Sequence, residues 1–408
     1  MAIQSSARVA VIIKRETILG TAAGTSGGDV LRITDSPGFD PDRNAIESAE
    51  QRADGTTAMG RLGSRSLTGS FNGELTVGGA VDVILEAMMR GTWRAALQIT
   101  QATAGLTSIT TTTTTIVAAA GSWITAGVRV GDIGRLTNHS TAGNNNINLR
   151  VVSVTALTLT VAGIGTNAAA PLTTNAVADT SFEFTILKKL VNPAVPVRYS
   201  HTVEQSRTDI DLSMIFLGCR VTAFSISCRP NSMATFTVTF TGLNWTALVT
   251  GTSPYYTAPA VTTGLALVAD DSAVRYNGAD VAVITGFDLD FTIGADTDSV
   301  IGSTVAPDVI DGNWRASGTI TAMLQDHSNV ALWEAETIFD ASIALQEPGT
   351  APLPCLGFYL PAIKLRKAVA PAGGGTGSLV ETLDVMIGPK VAASGYDGTS
   401  VIVYSSAP

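Results

Sequence analysis

Two distant stretches of this chain carry one pattern without a gap. "SLTGSFNGELTVGGAVDVILEA" begins at Ser66 and "RASGTITAMLQDHSNVALWEA" at Arg315. Gly69 aligns with Gly318, Phe71 with Ile320, Leu75 with Leu324, Val81 with Val330 and Ile84 with Trp333. In the first stretch Leu67, Gly69, Phe71, Gly73 and Leu75 alternate with polar residues, the period of a strand. Val81, Ile84, Leu85 and Met88 then fall on one face of a short helix that stops at Gly91. The second copy predicts a helix over "SNVALWEAETIF", with Ser328 or Asn329 as its N-cap. A strand and a longer loop precede each block. A two-stranded hairpin follows each, Arg220 to Gly242 and Phe358 to Gly388, the second turning at "PAGGGTGS". A unit this long is not a solenoid period; it predicts two homologous domains.

The rest of the chain fills in around this repeat. "VLRIT" (Val30 to Thr34) reads as a strand, and Asp35 to Arg65 as a long polar loop. From about Leu97 to Ala178 the chain turns rich in Thr, Ala, Asn and Gly and nearly loses its charge. Within it "GVRVGDIGRLTN", "NINLRVVSV" and "ALTLTVAGI" alternate like strands, which predicts a small β module inserted after the first helix. The run Thr110 to Thr115 reads as strand, because Thr favours strands and the prolines of a glycosylated stalk are missing. "SFEFTILKK" and "VRYSHTVEQS" resume the outer pattern. Ala247 to Thr263 reads as a connector, "DVAVITGFDLDFTIG" as a long strand and Ser303 to Gly312 as a loop. The expected organisation is a discontinuous first domain (1–96 and 179–250), the inserted module (97–178) and a second domain (264–408). The fold class is mainly β, two tandem β-sandwich or barrel domains with one short helix each.

Composition narrows the function. Hydrophobic residues are 45% of the chain and charged residues 14%, with 40 glycines. A surface so poor in charge suits burial between subunits. The net charge is −9, and no run of Lys or Arg suggests a DNA-gripping module. Cys219, Cys228 and Cys355 have no metal-type spacing and read as reduced thiols of a cytosolic assembly. The N-terminus lacks the apolar core of a signal peptide, and no apolar run approaches the ~20 residues of a membrane helix.

Candidate chemistry is sparse. His139, His201 and His327 lie far apart in sequence and suit surface or capping roles. Asp288 and Asp290 share one face of a strand; that spacing suits a metal or an acid–base pair, and more readily a solvated strand face. "DTDS" at Asp296 lacks the Gly and distal Glu of a calcium loop. "GGGTG" at Gly373 lacks the Lys of a phosphate loop. No catalytic set, metal or cofactor is expected.

The segments "VLRITDSPGF…GSRSLTGSFNGEL", "GCRVTAFSISCRP…ATFTVTFTGLNW" and "ITGFDLDFTIGADTDSVIGSTVAPDVIDGNWRASGTITAML" resemble the major tail (tail tube) proteins of bacteriophages with long, non-contractile tails. The module around "GVRVGDIGRLTNHSTAGNNNINLRVVSV" resembles the β inserts such proteins carry. The resemblance covers nearly the whole chain. It implies a virion protein whose subunits form rings, with inner strands joined into one barrel. Rings stack through the long loop, and DNA passes down the lumen. It also implies tape-measure and tail-terminator or tip proteins as partners. With two tube domains per chain, three chains complete a pseudo-sixfold ring; a single elaborated domain would need six. The expected ring-stacking residues are Asp40, Asp42, Arg43, Glu47, Glu50, Arg52, Arg61 and Arg65. Readings of another class are a carbohydrate-binding or adhesin-like surface protein and a capsid-decoration protein. The five scattered tryptophans argue against a sugar platform.

Overall fold

The computed structural model describes residues 3–165, 169–249, 251–280, 283–369, 372, 377–393 and 395–407. Most of the hairpin turn expected at 371–378 lies outside these residues. The first strands are β1 (Val9–Arg15), β2 (Asp29–Leu31), β3 (Gly38–Ile46) and β4 (Arg61–Glu74), followed by helix α1 (Ala80–Met89). A separate sheet follows, made of β5 (Leu97–Thr100), β6 (Ile109–Thr111), β7 (Thr115–Ala118), β8 (Ile133–Thr137), β9 (Leu149–Val154), β10 (Thr158–Gly163), β11 (Asn175–Asp179) and β12 (Glu183–Ile186), with the single turn α2 (Trp123–Ala126). The main body resumes with β13 (Lys188–Val191), β14 (His201–Arg207), β15 (Leu212–Cys228), β16 (Thr235–Gly242) and β17 (Asn244–Leu248). It ends with β18 (Ser272–Tyr276), β19 (Ala279–Asp280), β20 (Ile284–Thr292), β21 (Asp296–Thr297), β22 (Val309–Ile310), β23 (Arg315–Met323), α3 (Ser328–Glu334), β24 (Phe339–Gln346), β25 (Cys355–Val369), β26 (Val380–Ile387) and β27 (Ile402–Ser405). Seventeen of the strands belong to one continuous sheet.

Two sets of strands in that sheet share one register. Phe71 of β4 faces Val238 of β16, which faces Phe224 of β15. Ile320 of β23 faces Leu383 of β26, which faces Ala368 of β25. Both long strands then slip register at the same place, between Val221 and Ala223 and between Leu365 and Lys367. A second slip also recurs. His201 lies opposite Cys219 and Val203 opposite Phe216, just as Phe339 lies opposite Ile363 and Ala341 opposite Leu360. A bulge adds a residue to one strand and bends it, so two repeated bulges bend both long strands alike.

That bend makes two layers. The first halves of β15 and β25 pair with β14 and β17, and with β24 and β27. Their second halves pair with β16 and β26. The layers enclose one core. Phe71, Phe224, Phe236, Phe240, Leu289 and Phe291 come from one layer, Ile343, Leu345, Leu356, Phe358 and Val403 from the other, and Ile84, Leu85 and Met88 from α1. Each such side chain contributes about 1.5–3 kcal/mol on leaving water.

The inserted sheet has its own core around Trp123, Phe182 and Phe184. It rests on the far side of the outer layer, where Val130, Ile133 and Ile164 meet Ala344, Tyr359, Ile402 and Tyr404. The threonine run forms a hairpin, β6 to β7, whose turn is held by Thr112 Oγ1 accepting from the amides of Thr114 and Thr115. β12, read from sequence as part of the outer pattern, pairs with β5 and β8 and closes the inserted sheet instead. Phe184 and Ile186 face that module's core, which period alone could not assign. Helix α3 is shorter than expected and is preceded by His327, not capped by Ser328 or Asn329; its first amide, of Ser328, bonds Asp326 Oδ1 at 2.8 Å.

Candidate assembly surface

β15 pairs with β20, from Ala223 opposite Thr292 to Cys228 opposite Phe287. The inner layer therefore runs without a break in the order β3, β4, β16, β15, β20, β23, β26, β25. Period-two alternation gives it two unlike faces. One is the core above. The other carries Thr68, Ser70, Asn72, Thr237, Thr239, Ser225, Ser317 and Thr319, all in register across the strands. Its carboxylates are Asp40, Asp42, Glu74, Asp288, Asp290 and Asp384, against Arg315, Lys364 and Lys367. The face is polar and net acidic. Asp288 pairs with Arg229 at 2.5 Å. Burial, and then the neighbouring Asp288, raise the pKa of Asp290 above the usual carboxylate range. Asp288 and Asp290 are thus one stretch of a broad acidic strand face.

The expected loop Asp35 to Arg65 is in part a ribbon. β3 pairs with β4 from Gly38–Ser70 out to Ile46–Arg61, and 35–37 and 47–60 lack regular pairing. Sequence missed β3 because Phe39 is the lone large apolar side chain in its inner half. Phe39 stacks on Phe216 with ring centroids 4.2 Å apart and meets Phe71 edge-on. The solvent side of the ribbon carries Asp and Asn, which read as turn residues.

The expected stacking residues separate along this arm. Asp40, Asp42 and Arg43 lie on β3, Glu47, Glu50 and Arg52 in the tip, and Arg61 and Arg65 on β4. Arg43 is turned inward, 3.4 Å and 3.3 Å from the carbonyls of Leu62 and Gly63. Arg65 is anchored within the chain. Its guanidinium bonds Asn244 and lies 4.9 Å from the Trp245 ring, and its amide bonds the Thr304 carbonyl at 2.8 Å. The others are exposed, with Arg52 and Asp54 paired loosely at 3.8 Å. Ile46, Met59 and Leu62 project beside them at 55%, 95% and 59% exposure. Apolar side chains gathered at the end of a ribbon are a surface awaiting a partner.

A half-buried cluster ties the second strand set to the first. Asp308 and Asp311, on the segment between β20 and β23, meet Arg198 at 3.1 and 3.0 Å and Arg220 at 2.8 and 3.4 Å. Both guanidinium groups also bond the Val309 carbonyl. Sequence reasoning missed these residues, since nothing in their spacing links positions so far apart. Of the histidines, His139 is buried at 4% exposure but keeps a capping role, its Nδ1 accepting from the Thr141 amide at 3.0 Å, whereas His201, at 1% exposure, is neither at the surface nor a cap.

A bent double layer with one bare polar face defines a structural β-sheet protein. The family model described as phage tail tube protein matches residues 6–386, and the chain belongs to that family of structural phage tail proteins. No curated protein matches the chain.

Proposed function

We propose that the chain is the repeating subunit of the tail tube of a phage with a long, non-contractile tail. It assembles in the host cytoplasm into rings that stack into the conduit for DNA. One observation carries this reading: the inner layer crosses both strand sets as a single sheet whose polar, acidic face is bare. Lining a lumen with that net-acidic face meets DNA phosphates mostly with like charge, past which they slide. The repeated register and bulges support two tube domains per chain, over 1–96 with 188–250 and over 264–408, since β12 belongs to the inserted sheet. With two domains per chain, three chains complete a pseudo-sixfold ring, and a hexamer is the alternative. The inserted module, on the side away from the acidic face, then lies outside the tube. Tape-measure and terminator or tip proteins are the remaining partners.

The arm 38–65 is the ring-to-ring contact, through the tip from Glu47 to Arg61. Mixed charge and exposed apolar residues suit docking on a repeated copy of one surface, a heterologous contact that propagates. Electron microscopy of the purified chain tests the reading. Rings and tubes with a continuous inner wall are expected. Removing residues 47–60 should give single rings in place of tubes. A chain that stays monomeric at every concentration would overturn the proposal; long tubes from the shortened chain would overturn the assignment of the arm.

A further inference from the structure

The inner layer ends on two strands of opposite charge. At one end, β3 pairs only with β4 among the described residues, and Asp40 and Asp42 are exposed on it. At the other, residues 364–369 of β25 pair only with β26 among the described residues. Arg366 and Lys367 are exposed there, with Lys364 beside them. Resting on the tube reading, we infer that β25 of one chain pairs antiparallel with β3 of the next, Lys367 opposite Asp42 and Val369 opposite Asp40.

The register comes from the seam already inside the chain. Ala223 lies opposite Thr239 as Lys367 lies opposite Asp384, each just past the repeated bulge. Leu289 lies opposite Gly318 as Phe39 lies opposite Gly69, and these two glycines are equivalent in the repeat. The internal pairs Ala223–Thr292 and Ser225–Asp290 therefore become Lys367–Asp42 and Val369–Asp40. A neutral pair at the internal seam is replaced by an ion pair between chains. Opposite charges directly across two strands favour that register, and like charges oppose self-pairing of either edge.

Two local features agree. At the internal seam the Ile293 amide bonds the Thr222 carbonyl at 2.9 Å. The equivalent carbonyl, of Arg366, holds the indole N–H of Trp333 at 3.0 Å, from a residue 41% exposed. The neighbour's Arg43 amide would reach that carbonyl. Pro41 stands where the internal seam has Phe291, so the new seam has one donor fewer. A proline at an open edge also discourages pairing with unrelated strands. This inference moves Asp40 and Asp42 from the stacking surface to the lateral seam and leaves the tip to the next ring.

Both predicted pairs are of the non-hydrogen-bonded kind, because it is the odd-numbered amide of Ile293 that points across the seam. Such pairs bring Cα atoms to about 4.5 Å, within reach of a disulfide. The experiment mixes Asp42→Cys chains with Lys367→Cys chains, and in parallel Asp40→Cys with Val369→Cys, under mild oxidation. Each mixture should give covalent dimers on a non-reducing gel; the double variant Asp42→Cys/Lys367→Cys should give covalently closed rings. Asp42→Cys with Val369→Cys should link poorly. Asp42→Lys should raise the concentration needed for assembly about tenfold, and Lys367→Asp in the same chain should restore it. Rings that form without these links, or that link at 42 with 369, would overturn the register and leave the tube reading standing. Absence of any ring would remove both.

Discussion

His201 shows how a single residue couples this fold to pH. Burial, and next the Arg15 charge, push its pKa down from 6.5 to about 4, so it is neutral in the folded chain. Between those values the unfolded chain binds a proton that the folded chain does not. Stability is therefore full above about pH 6.5 and falls as pH drops toward 4, by ~3 kcal/mol from this residue. His201→Asn should flatten that part of the profile. Asp29 and Asp82, whose pKa values burial raises, slope the other way, so the difference between wild type and variant is the quantity to read. Equal slopes in urea-denaturation midpoints between pH 4 and 6.5 would exclude His201 as the source. The thiols are different: burial holds Cys228 at about 11 and Cys355 at about 12, so they stay protonated and unreactive near neutral pH.

Among the elements, the segment between β20 and β23 has the clearest energetic role. Arg220 and Asp311 keep only 9% and 11% of their side-chain exposure. Without Asp311, Arg220 and Arg198 keep Asp308 and the Val309 carbonyl, so the cost is that of the charged hydrogen bonds lost, about 2 kcal/mol. Asp311→Ala should lower unfolding stability by that amount; a loss below ~0.5 kcal/mol would mean that the seam rests on the β15–β20 ladder alone. The contrast with β3 shows where sequence reading ran out. β4 and α1 were legible because their periods match their burial, with Phe71 and Ile84 both fully buried. β3 was not legible, because an edge strand can carry Asp and Pro on its unpaired side without losing a ladder bond. The doubled register could be foreseen from Gly69 and Gly318. The charges that meet at the seam could not, since Arg198, Arg220, Asp308 and Asp311 lie in segments with no shared period.

At the scale of the whole molecule, the inserted module is attached at one point and docked at another. It leaves and rejoins the body where Arg94 and Lys189 bond each other's backbones at 2.8 and 3.1 Å. It is held on the second strand set by Asp132, which takes the Tyr404 hydroxyl at 3.0 Å and Lys189 at 3.1 Å, and by Arg150 on Ser342 at 2.9 Å. One module thus marks each chain, on one of its two strand sets. Splicing the chain from Ala95 to Lys188 should leave the inner layer and both its edges intact, so rings should still form. The same splice bares Tyr359, Ile402 and Tyr404, so the protein should be less soluble until these are replaced by threonine. Failure of the repaired chain to assemble would show that the module is needed for the ring. Imaging the full-length tube then decides the count. If two strand sets of one chain occupy consecutive positions around the lumen, three outer modules should alternate with three bare positions in each ring. Six outer modules in one ring would mean that each chain supplies a single position, and the repeated register would then need another explanation.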